Sequence, residues 1–151
     1  QILINLSNNA VKFTEKGEIL ITAELKEKKR DKVKIQFSVR DTGIGLTKEQ
    51  QGKLFKSFAQ ADDSTTRKYG GTGLGLTISR SLTEKMNGEI WIESEFGKGS
   101  TFIFTAEFGL GKKQKAKEFK PAVDLRGMKV LVCDDNETSR EILKEALEGN
   151  Y

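Results

Sequence analysis

The apolar residues of the chain recur with two periods, one helical and one of two residues. Residues 1–13 follow the helical period of about 100° per residue. One side of this predicted helix collects the apolar side chains Leu3, Leu6, Ala10 and Phe13. The nearly opposite side collects Asn5, Asn9 and Lys12. We therefore expect one face of the helix in the core and two amides with an ammonium group on the other.

The later segments predict a second helix and four strands. The helix is predicted over 76–86, with an apolar stripe formed by Ile78, Leu82 and Met86. The strands are predicted over 18–25, 33–40, 89–94 and 100–108, and Phe102, Phe104 and Phe108 share one face of the last. The resulting order, helix–strand–strand–helix–strand–strand, predicts an α+β fold with helices layered on one face of a mixed, mainly antiparallel sheet.

The pattern divides the chain into three regions. Residues 1–108 form the first predicted domain, and 109–127 form a Lys-rich linker that contains the only proline. Residues 128–151 begin a second unit, with the apolar strand MKVLVCDDN followed by a helix from about 137 to 148. Cys133 lies in that strand and is expected to be a buried small apolar residue.

Composition excludes several kinds of chemistry. The 151 residues include no histidine, which excludes Ser-His-Asp and Cys-His catalysis and the common zinc sites. The formal net charge is +4, and residues 110–120 account for all of it, since they contain five lysines and one glutamate. The charges of the other residues therefore sum to zero. We therefore expect no nucleic-acid-binding face. The lack of a long apolar run predicts no membrane contact by this segment, and a single cysteine fits a reducing cytoplasm.

Two polar motifs could contact a ligand. Asn5 and Asn9, four residues apart, share a helical face with Lys12 a turn beyond. Amide oxygens suit Mg²⁺, which takes phosphates and water as its other ligands; the alternative is a solvated polar face. In the sequence DTGIG, Asp41 ends a strand and could accept from an exocyclic amino group, while Gly43 and Gly45 permit close approach of a ligand. The alternative is a plain turn.

A third motif is rich in glycine and opens the second helix. It is the run Gly70, Gly71, Thr72, Gly73, Leu74 and Gly75. Free N–H groups at a helix N-terminus favour phosphate, although the spacing matches neither G-x-G-x-x-G nor a P-loop, and a flexible loop is the alternative. Residues 46–69 before it have little apolar content beyond Leu54, Phe55 and Phe58, so we expect a lid or a disordered loop. Phe55 and Phe58, three residues apart, are expected to anchor the lid to the core.

Together and in this order, the motifs resemble those of the ATP-binding catalytic domain of sensor histidine kinases. QILINLSNNAVKFT resembles the N box of that family, DTGIGL the G1 box, LFKSFAQAD the F box and GGTGLGL the G2 box, while GKGSTFIF resembles the strand that closes the adenine pocket. The resemblance implies the Bergerat α/β sandwich, which is shared with DNA gyrase, MutL and the ninety-kilodalton heat-shock chaperone.

The resemblance also implies roles for individual residues in binding ATP and Mg²⁺. Asn9 would coordinate Mg²⁺ with support from Asn5, and Lys12 would contact the phosphates. Asp41 would accept a hydrogen bond from the adenine amino group. A guanine carbonyl group at the same place would put two acceptors opposite each other, with no proton to share. Other expected contacts are Gly43 and Gly45 at the base, Gly71, Thr72, Gly73, Leu74 and Gly75 at the phosphates, and Thr101 beside the adenine.

One position distinguishes a kinase from an ATPase within this resemblance. The hydrolytic relatives carry a glutamate as general base four residues before the metal-binding asparagine, where this chain has Asn5. An amide cannot take up a proton at neutral pH, so we expect transfer of the γ-phosphoryl group to a protein histidine rather than hydrolysis. The alternatives are a Bergerat-type ATPase and a non-enzymatic module whose lysine run binds an acidic partner.

The second unit resembles the start of a receiver domain of flavodoxin-like fold. That resemblance implies a Mg²⁺ site at Asp134 and Asp135, with an N-terminal helix cap as the alternative. A kinase domain followed by a receiver implies a hybrid histidine kinase in a two-component phosphorelay. The partners implied are a histidine-bearing dimerisation domain, since this chain lacks the phospho-accepting histidine, and a receiver in cis or in trans. The full-length protein is expected to be a homodimer, cytoplasmic in this region whether or not other regions anchor it to a membrane.

Overall fold

The computed structural model describes residues 1–54, 74–111 and 127–148. The chain divides into two compact units, Gln1–Lys112 and Lys113–Tyr151, and each is treated by itself below. The predicted linker lies outside the described residues except at its two ends. In the described ranges, no helix is long and apolar enough to cross a membrane.

The first unit contains a four-stranded sheet in the order β1-β2-β4-β3. Its strands are β1 (Ile19–Lys28), β2 (Lys32–Asp41), β3 (Ile90–Glu95) and β4 (Gly99–Gly109). The α+β class and the mainly antiparallel sheet are confirmed, and within the described residues every neighbouring pair of strands is antiparallel, so the parallel pair of a mixed sheet does not occur there. The short connections β1–β2 and β3–β4 make hairpins, and β4 then lies antiparallel to β2, whereas a parallel pair needs a long crossover.

Two helices pack on one face of this sheet. Helix α1 (Ile2–Phe13) buries Leu6 and Ala10, as predicted, together with Ile2, which was not predicted, whereas Leu3 and Phe13 are half-buried. The helix predicted over 76–86 runs from Leu74 to Lys85, after the short helix α2 described below, and is α3. Its buried residues are Ser79 and Thr83, whereas Ile78 is 45% exposed, so the prediction of an inward Ile78 is wrong. Small side chains on this face of α3 allow α1 to approach closely.

The core lies between these helices and the aromatic face of β4. Phe102 and Phe104 are buried there, and Phe108 is half-buried on the same face, as predicted. The ring of Phe37 on β2 stacks on Phe104 at 4.9 Å between centroids and meets Phe108 edge-on at 6.1 Å. These aromatic pairs fix the two strands against each other beneath the helices.

A short helix, α2 (Lys48–Lys53), lies in the segment expected to be a lid. Thr47 and Gln50 form a capping box, in which the hydroxyl of Thr47 accepts from the Gln50 N–H and the amide oxygen of Gln50 accepts from the Thr47 N–H. The sequence signal for this helix is therefore the Thr-Lys-Glu-Gln spacing rather than an apolar period. Residues 55–69 of the expected lid, including Phe55 and Phe58, lie outside the described residues.

The second unit contains helix α4 (Glu137–Glu148), at the predicted position. The side-chain oxygen of Asn136 accepts from the Ser139 N–H at 2.9 Å and caps the helix. The strand expected from residue 128 is absent among the described residues, and Cys133 is exposed rather than buried. A single apolar strand makes no ladder without a neighbouring strand, so this segment lacks the hydrogen bonds and the cover that the prediction assumed.

Candidate functional site

A pocket of about 180 Å³ lies where α1, α2 and the end of β2 meet the β3–β4 hairpin. Four polar side chains reach it: Asn9, Asp41, Gln50 and Ser100. Most of its wall is apolar and is formed by Phe13, Ile44, Leu46, Leu54, Leu76, Phe96 and Phe102, together with Gly45. A mostly apolar pocket with a few convergent polar groups is typical of sites for small molecules and cofactors.

Asp41 is the polar anchor of this pocket. It ends β2, and its side chain is only 5% exposed. Its oxygen Oδ1 accepts a hydrogen bond of 2.9 Å from the Gly43 N–H, whereas Oδ2 has no hydrogen bond to any described residue. The carboxylate therefore has a fixed orientation and one oxygen left as an acceptor for a ligand.

The glycine turn after Asp41 is packed against backbone on two sides. A Cβ on Gly43 would overlap the carbonyl oxygen of Phe13, and one on Gly45 would overlap the carbonyl oxygen of Glu95. Gly45 also has a φ of +64°, in the left-handed region that favours glycine. Gly45 lines the pocket, whereas Gly43 lies behind Asp41 and orients its carboxylate. The two glycines thus serve close packing of the turn, which the DTGIG spacing alone left open.

Backbone hydrogen bonds hold the same turn in place. The Ile44 N–H donates to the carbonyl oxygen of Phe13 at 3.2 Å, at the C-terminus of α1. The carbonyl oxygen of Ile44 accepts from the Gly97 N–H of the β3–β4 hairpin at 2.8 Å. Helix, turn and hairpin, distant in sequence, are thereby joined into one wall of the pocket.

A row of side chains crosses three strands at the base of the pocket. Asp41 on β2 lies opposite Ser100 on β4, and Ser100 lies opposite Ser94 on β3. The hydroxyl oxygen of Ser94 accepts from the Leu46 N–H at 2.8 Å and lies 3.0 Å from the hydroxyl oxygen of Ser100. Ser100 is 92% buried and lines the pocket, but sequence analysis did not select it.

Thr101, which the family resemblance implies beside the adenine, lies on the other face of the sheet. It pairs with Arg40 and Glu93, one step along the strand from the row that contains Ser100. Side chains alternate between faces along a strand, so the residue beside Asp41 is Ser100 and the expectation for Thr101 needs correction. The signal that could have found Ser100 is parity with Phe102 and Phe104, the predicted inward residues of the same strand.

Asn5 and Asn9, the asparagines of α1 that were expected at the site, have different surroundings. Asn9 lines the pocket. Asn5 instead contacts α3: its Nδ2 donates to the Gly75 carbonyl at 3.2 Å and to the Ser79 hydroxyl at 3.3 Å. Its Oδ1 accepts from the Gln1 amide at 2.9 Å. Asn5 therefore joins the two helices and lies behind the pocket rather than in its wall.

The remaining expected contacts are only partly described. Gly71, Thr72 and Gly73 lie outside the described residues, whereas Leu74 and Gly75 begin α3. A Cβ on Gly75 would come no closer than 3.9 Å to Asn5, which is ordinary contact. The ammonium group of Lys12 lies 5.1 Å from the centre of the Phe13 ring, at the C-terminal end of α1.

In the second unit, Asp134 and Asp135 are both exposed. The oxygen Oδ1 of Asp134 accepts from the Asn136 N–H at 2.8 Å, and the carbonyl oxygen of Asp134 accepts from the Arg140 guanidinium at 2.6 Å. These bonds shape the turn that leads into α4. Within the described ranges, no three His, Cys, Asp or Glu residues gather as a metal cluster, here or in the first unit.

Comparison with known proteins assigns this arrangement to a family. Residues 1–110 match the family of histidine kinase-, DNA gyrase B- and HSP90-like ATPases. The chain is 44% identical over 148 residues to the sensor histidine kinase GacS of Pseudomonas protegens, covering 98% of this chain and 16% of that protein. It is 43% identical over 149 residues to the autoinducer 2 sensor kinase/phosphatase LuxQ of Vibrio vulnificus, covering 95% and 17%. The chain thus spans about a sixth of the length of these relatives.

Solved structures agree with the sequence relatives. Full-length ShkA in complex with AMPPNP superposes with a TM-score of 0.58 and 38% identity, over 70% of this chain and 20% of that one. The catalytic domain of histidine kinase ThkA in a nucleotide-free form superposes with a TM-score of 0.50 and 34% identity, over 70% and 63%. The chain therefore belongs to the family of histidine kinase-, DNA gyrase B- and HSP90-like ATPases, and its first unit is a catalytic ATPase domain of the kind found in sensor histidine kinases.

Proposed function

We propose that this domain binds Mg-ATP in the described pocket and donates the γ-phosphoryl group to a histidine on a separate dimerisation domain, within a two-component phosphorelay. The observation that carries the proposal is the buried Asp41 carboxylate, with one oxygen held by Gly43 and the other left for a ligand inside an apolar slot. Such an acceptor can form a hydrogen bond with the exocyclic amino group of adenine, which is a donor. It cannot form one with the carbonyl group of guanine, which is also an acceptor.

The position of Asn9 supports a role in binding Mg²⁺. Its amide lines the same pocket as Asp41, at the side formed by α1. Mg²⁺ keeps several waters and accepts phosphate oxygens, so one amide oxygen together with the nucleotide suffices, without an all-protein cage. We propose that Asn9 holds the cation, which supplies charge neutralisation at the phosphates, and that Lys12 and residues 71–75 contact the phosphates.

The environment of Asn5 supports transfer to a protein over hydrolysis. Both ends of its amide are engaged, by Gly75 and Ser79 on one side and by Gln1 on the other. A general base must reach the attacking water and accept its proton. Asn5 offers neither a basic atom nor an unoccupied orientation, so the domain acts by positioning ATP and neutralising charge.

The second unit supports membership of a hybrid kinase. The match to GacS extends over 148 residues, well beyond the 110 residues of the ATPase domain. We propose that residues 128–151 begin a receiver domain in which Asp134 and Asp135 hold Mg²⁺. The phosphorylated receiver is then supplied in cis or in trans, and the full-length protein acts as a homodimer through its histidine-bearing domain.

A transfer assay tests the proposal directly. The chain is mixed with Mg²⁺, ATP labelled at the γ-phosphate and a separately made helical hairpin that carries a single histidine from one of the relatives. Acid-labile, base-stable label on the hairpin is the expected result, and replacing the histidine of the hairpin by alanine is the control. Multiple-turnover release of phosphate without label on the hairpin would instead support an ATPase.

A further inference from the structure

The hydroxyl group of Ser94 makes three hydrogen-bond contacts, two of them to residues that line the pocket. It accepts from the Leu46 N–H at 2.8 Å, donates to the Gly99 carbonyl at 2.9 Å and lies 3.0 Å from the Ser100 hydroxyl. A serine hydroxyl has one proton and two acceptor sites. These three contacts therefore use its full capacity.

This count assigns the direction of the Ser94–Ser100 bond. A carbonyl oxygen can only accept, so the single proton of Ser94 is used by Gly99. The hydroxyl of Ser100 must then donate to Ser94, since Ser94 has no second proton to offer. The proton of Ser100 consequently points away from the pocket, and only its lone pairs remain for a ligand.

The side chain of Gln51 fixes the backbone on both sides of this arrangement. Its amide nitrogen Nε2 donates to the Leu46 carbonyl at 3.0 Å and to the Ser94 carbonyl at 2.9 Å. The turn that carries Leu46 and the strand that carries Ser94 are thereby tied to α2. Ser94 is thus held in the position from which it can accept from both Leu46 and Ser100.

We infer that Ser94 is a positioning residue that sets base selectivity, because it holds the Ser100 hydroxyl as a second acceptor beside Asp41. This inference rests on the proposed function. Asp41 and Ser100 are cross-strand neighbours on the pocket face, so two acceptors lie side by side there. Such a pair suits an amino group with its two N–H donors and opposes a carbonyl oxygen at the same position of a purine.

The test compares the affinities of the whole chain for ADP and IDP in the presence of Mg²⁺. These nucleotides share ribose and phosphates and differ at purine position 6 and the protonation of N1, so contributions of the phosphate contacts cancel in the ratio. In Ser94→Ala, the Ser100 hydroxyl can turn and donate to the carbonyl of IDP. We expect the ratio Kd(IDP)/Kd(ADP) to fall by about fivefold, the effect of one neutral hydrogen bond.

Three variants separate this role from a structural one. Ser94→Thr keeps the hydroxyl and should retain the wild-type ratio. Ser38→Ala removes a serine that makes a similar hydroxyl pair with Thr22, at 2.6 Å on the opposite face of the sheet, and should not change the ratio. In a Ser100→Ala background, Ser94→Ala should cause no further change, because the hydroxyl through which it acts is gone.

The outcomes distinguish this inference from the proposed function. Preferential ADP binding by the wild type with an unchanged or increased ratio in Ser94→Ala would overturn the role of Ser94 and leave the proposed function standing. An equal loss of both nucleotides in Ser94→Ala would also overturn it, since a structural defect moves both affinities together. Failure of the wild type to bind either nucleotide would overturn the proposed function itself.

Discussion

The side-chain oxygen Oδ1 of Asp41 accepts a hydrogen bond of 2.9 Å from the N–H of Gly43, two residues further along the chain. This bond leaves Oδ2 without a hydrogen bond to any described residue, in a side chain that lines the pocket. It also means that the backbone of the glycine turn, and not a second side chain, orients the acidic group of the pocket. The orientation of Asp41 therefore depends on the packing that holds the turn.

Asp41→Asn tests the acceptor role of the carboxylate. The Gly43 N–H needs an oxygen, so the amide will turn its oxygen towards Gly43 and its NH₂ group towards the pocket. A donor then faces the amino group of adenine, and we expect ADP to bind about tenfold more weakly by calorimetric titration. The control is Asp31→Asn, in the exposed β1–β2 turn, which should bind ADP as the wild type does. Unchanged affinity in Asp41→Asn would contradict the assignment.

Ser100 and Thr101 allow a test of the strand register. Because Ser100 lines the pocket and Thr101 lies on the opposite face, Ser100→Ala should weaken ADP binding about fivefold, and Thr101→Ala should leave it unchanged. ADP is titrated into both variants, and because the two substitutions are at neighbouring residues, each variant is the matched control for the other. The reverse order of effects would show that Thr101, as the family resemblance implied, is the residue beside the base.

Gly45→Ala tests the close packing of the turn. Both Gly45 and Gly97 have positive φ, +64° and +84°, so alanine at either position costs about 1–2 kcal/mol of conformational energy. Only at Gly45 would the new methyl group overlap a backbone carbonyl, that of Glu95, since nothing lies within 4 Å of a Cβ on Gly97. We expect the free energy of unfolding in urea to fall by about 1–3 kcal/mol more for Gly45→Ala than for Gly97→Ala. Equal losses would argue against the tight contact.

Asn5→Asp tests the link between α1 and α3. The substitution replaces the donor to the Gly75 carbonyl by a carboxylate oxygen, so two acceptors would face each other. We expect a loss of about 1–3 kcal/mol in the free energy of unfolding, measured by chemical denaturation. Asn8→Asp, at an exposed position of the same helix, introduces the same charge without this clash and should have little effect. A similar loss in both variants would mean that the added charge, rather than the broken bond, is responsible.

The ion pair between Lys32 and Glu107 predicts a dependence of stability on pH. The hydrogen bond from Lys32, at 2.7 Å, lowers the pKa of the Glu107 carboxyl below its ordinary value of 4.5, and the same bond raises the pKa of Lys32 above 10.5. The contribution of Glu107 is therefore present above pH 4.5 and is lost as the pH falls through its lowered pKa. That of Lys32 is present below pH 10.5 and is lost as the pH rises through its raised pKa.

Thermal unfolding followed from about pH 7 down to about pH 3, which passes through the ordinary carboxyl pKa of 4.5, provides the measurement. Glu107→Gln should lower the melting temperature at pH 7, and the difference from the wild type should shrink as the pH falls below 4.5. Glu24→Gln, which removes a carboxylate from an exposed pair with Lys26, is the matched control. A difference between Glu107→Gln and the wild type that is constant with pH would exclude the ion pair as its cause.

Much of the fold follows from patterns in the sequence. The positions of α1 and of the strands in the two hairpins were predictable because burial imposes a helical or two-residue period on apolar side chains. The inward face of β4 was predictable for the same reason. Helix α2 has no buried residue and therefore no such period, which is why only its capping box marks it. The strand expected at residue 128 failed because strand formation depends on a neighbour that periodicity cannot supply.

Some features of the candidate site likewise follow from the local sequence, and others depend on tertiary contacts. The sequence by itself determined the acidic end of β2, its glycine turn and the amide of Asn9, since each is a residue type with a local chemical property. Only the tertiary structure decided that Asn5 joins α3, that Ser100 rather than Thr101 lies beside Asp41, and that Ser94 completes the row. The physical reason is that strand register, helix contacts and hydrogen-bond direction depend on residues that are distant in sequence. Lys32 and Glu107, for example, are joined by a hydrogen bond and lie 75 positions apart.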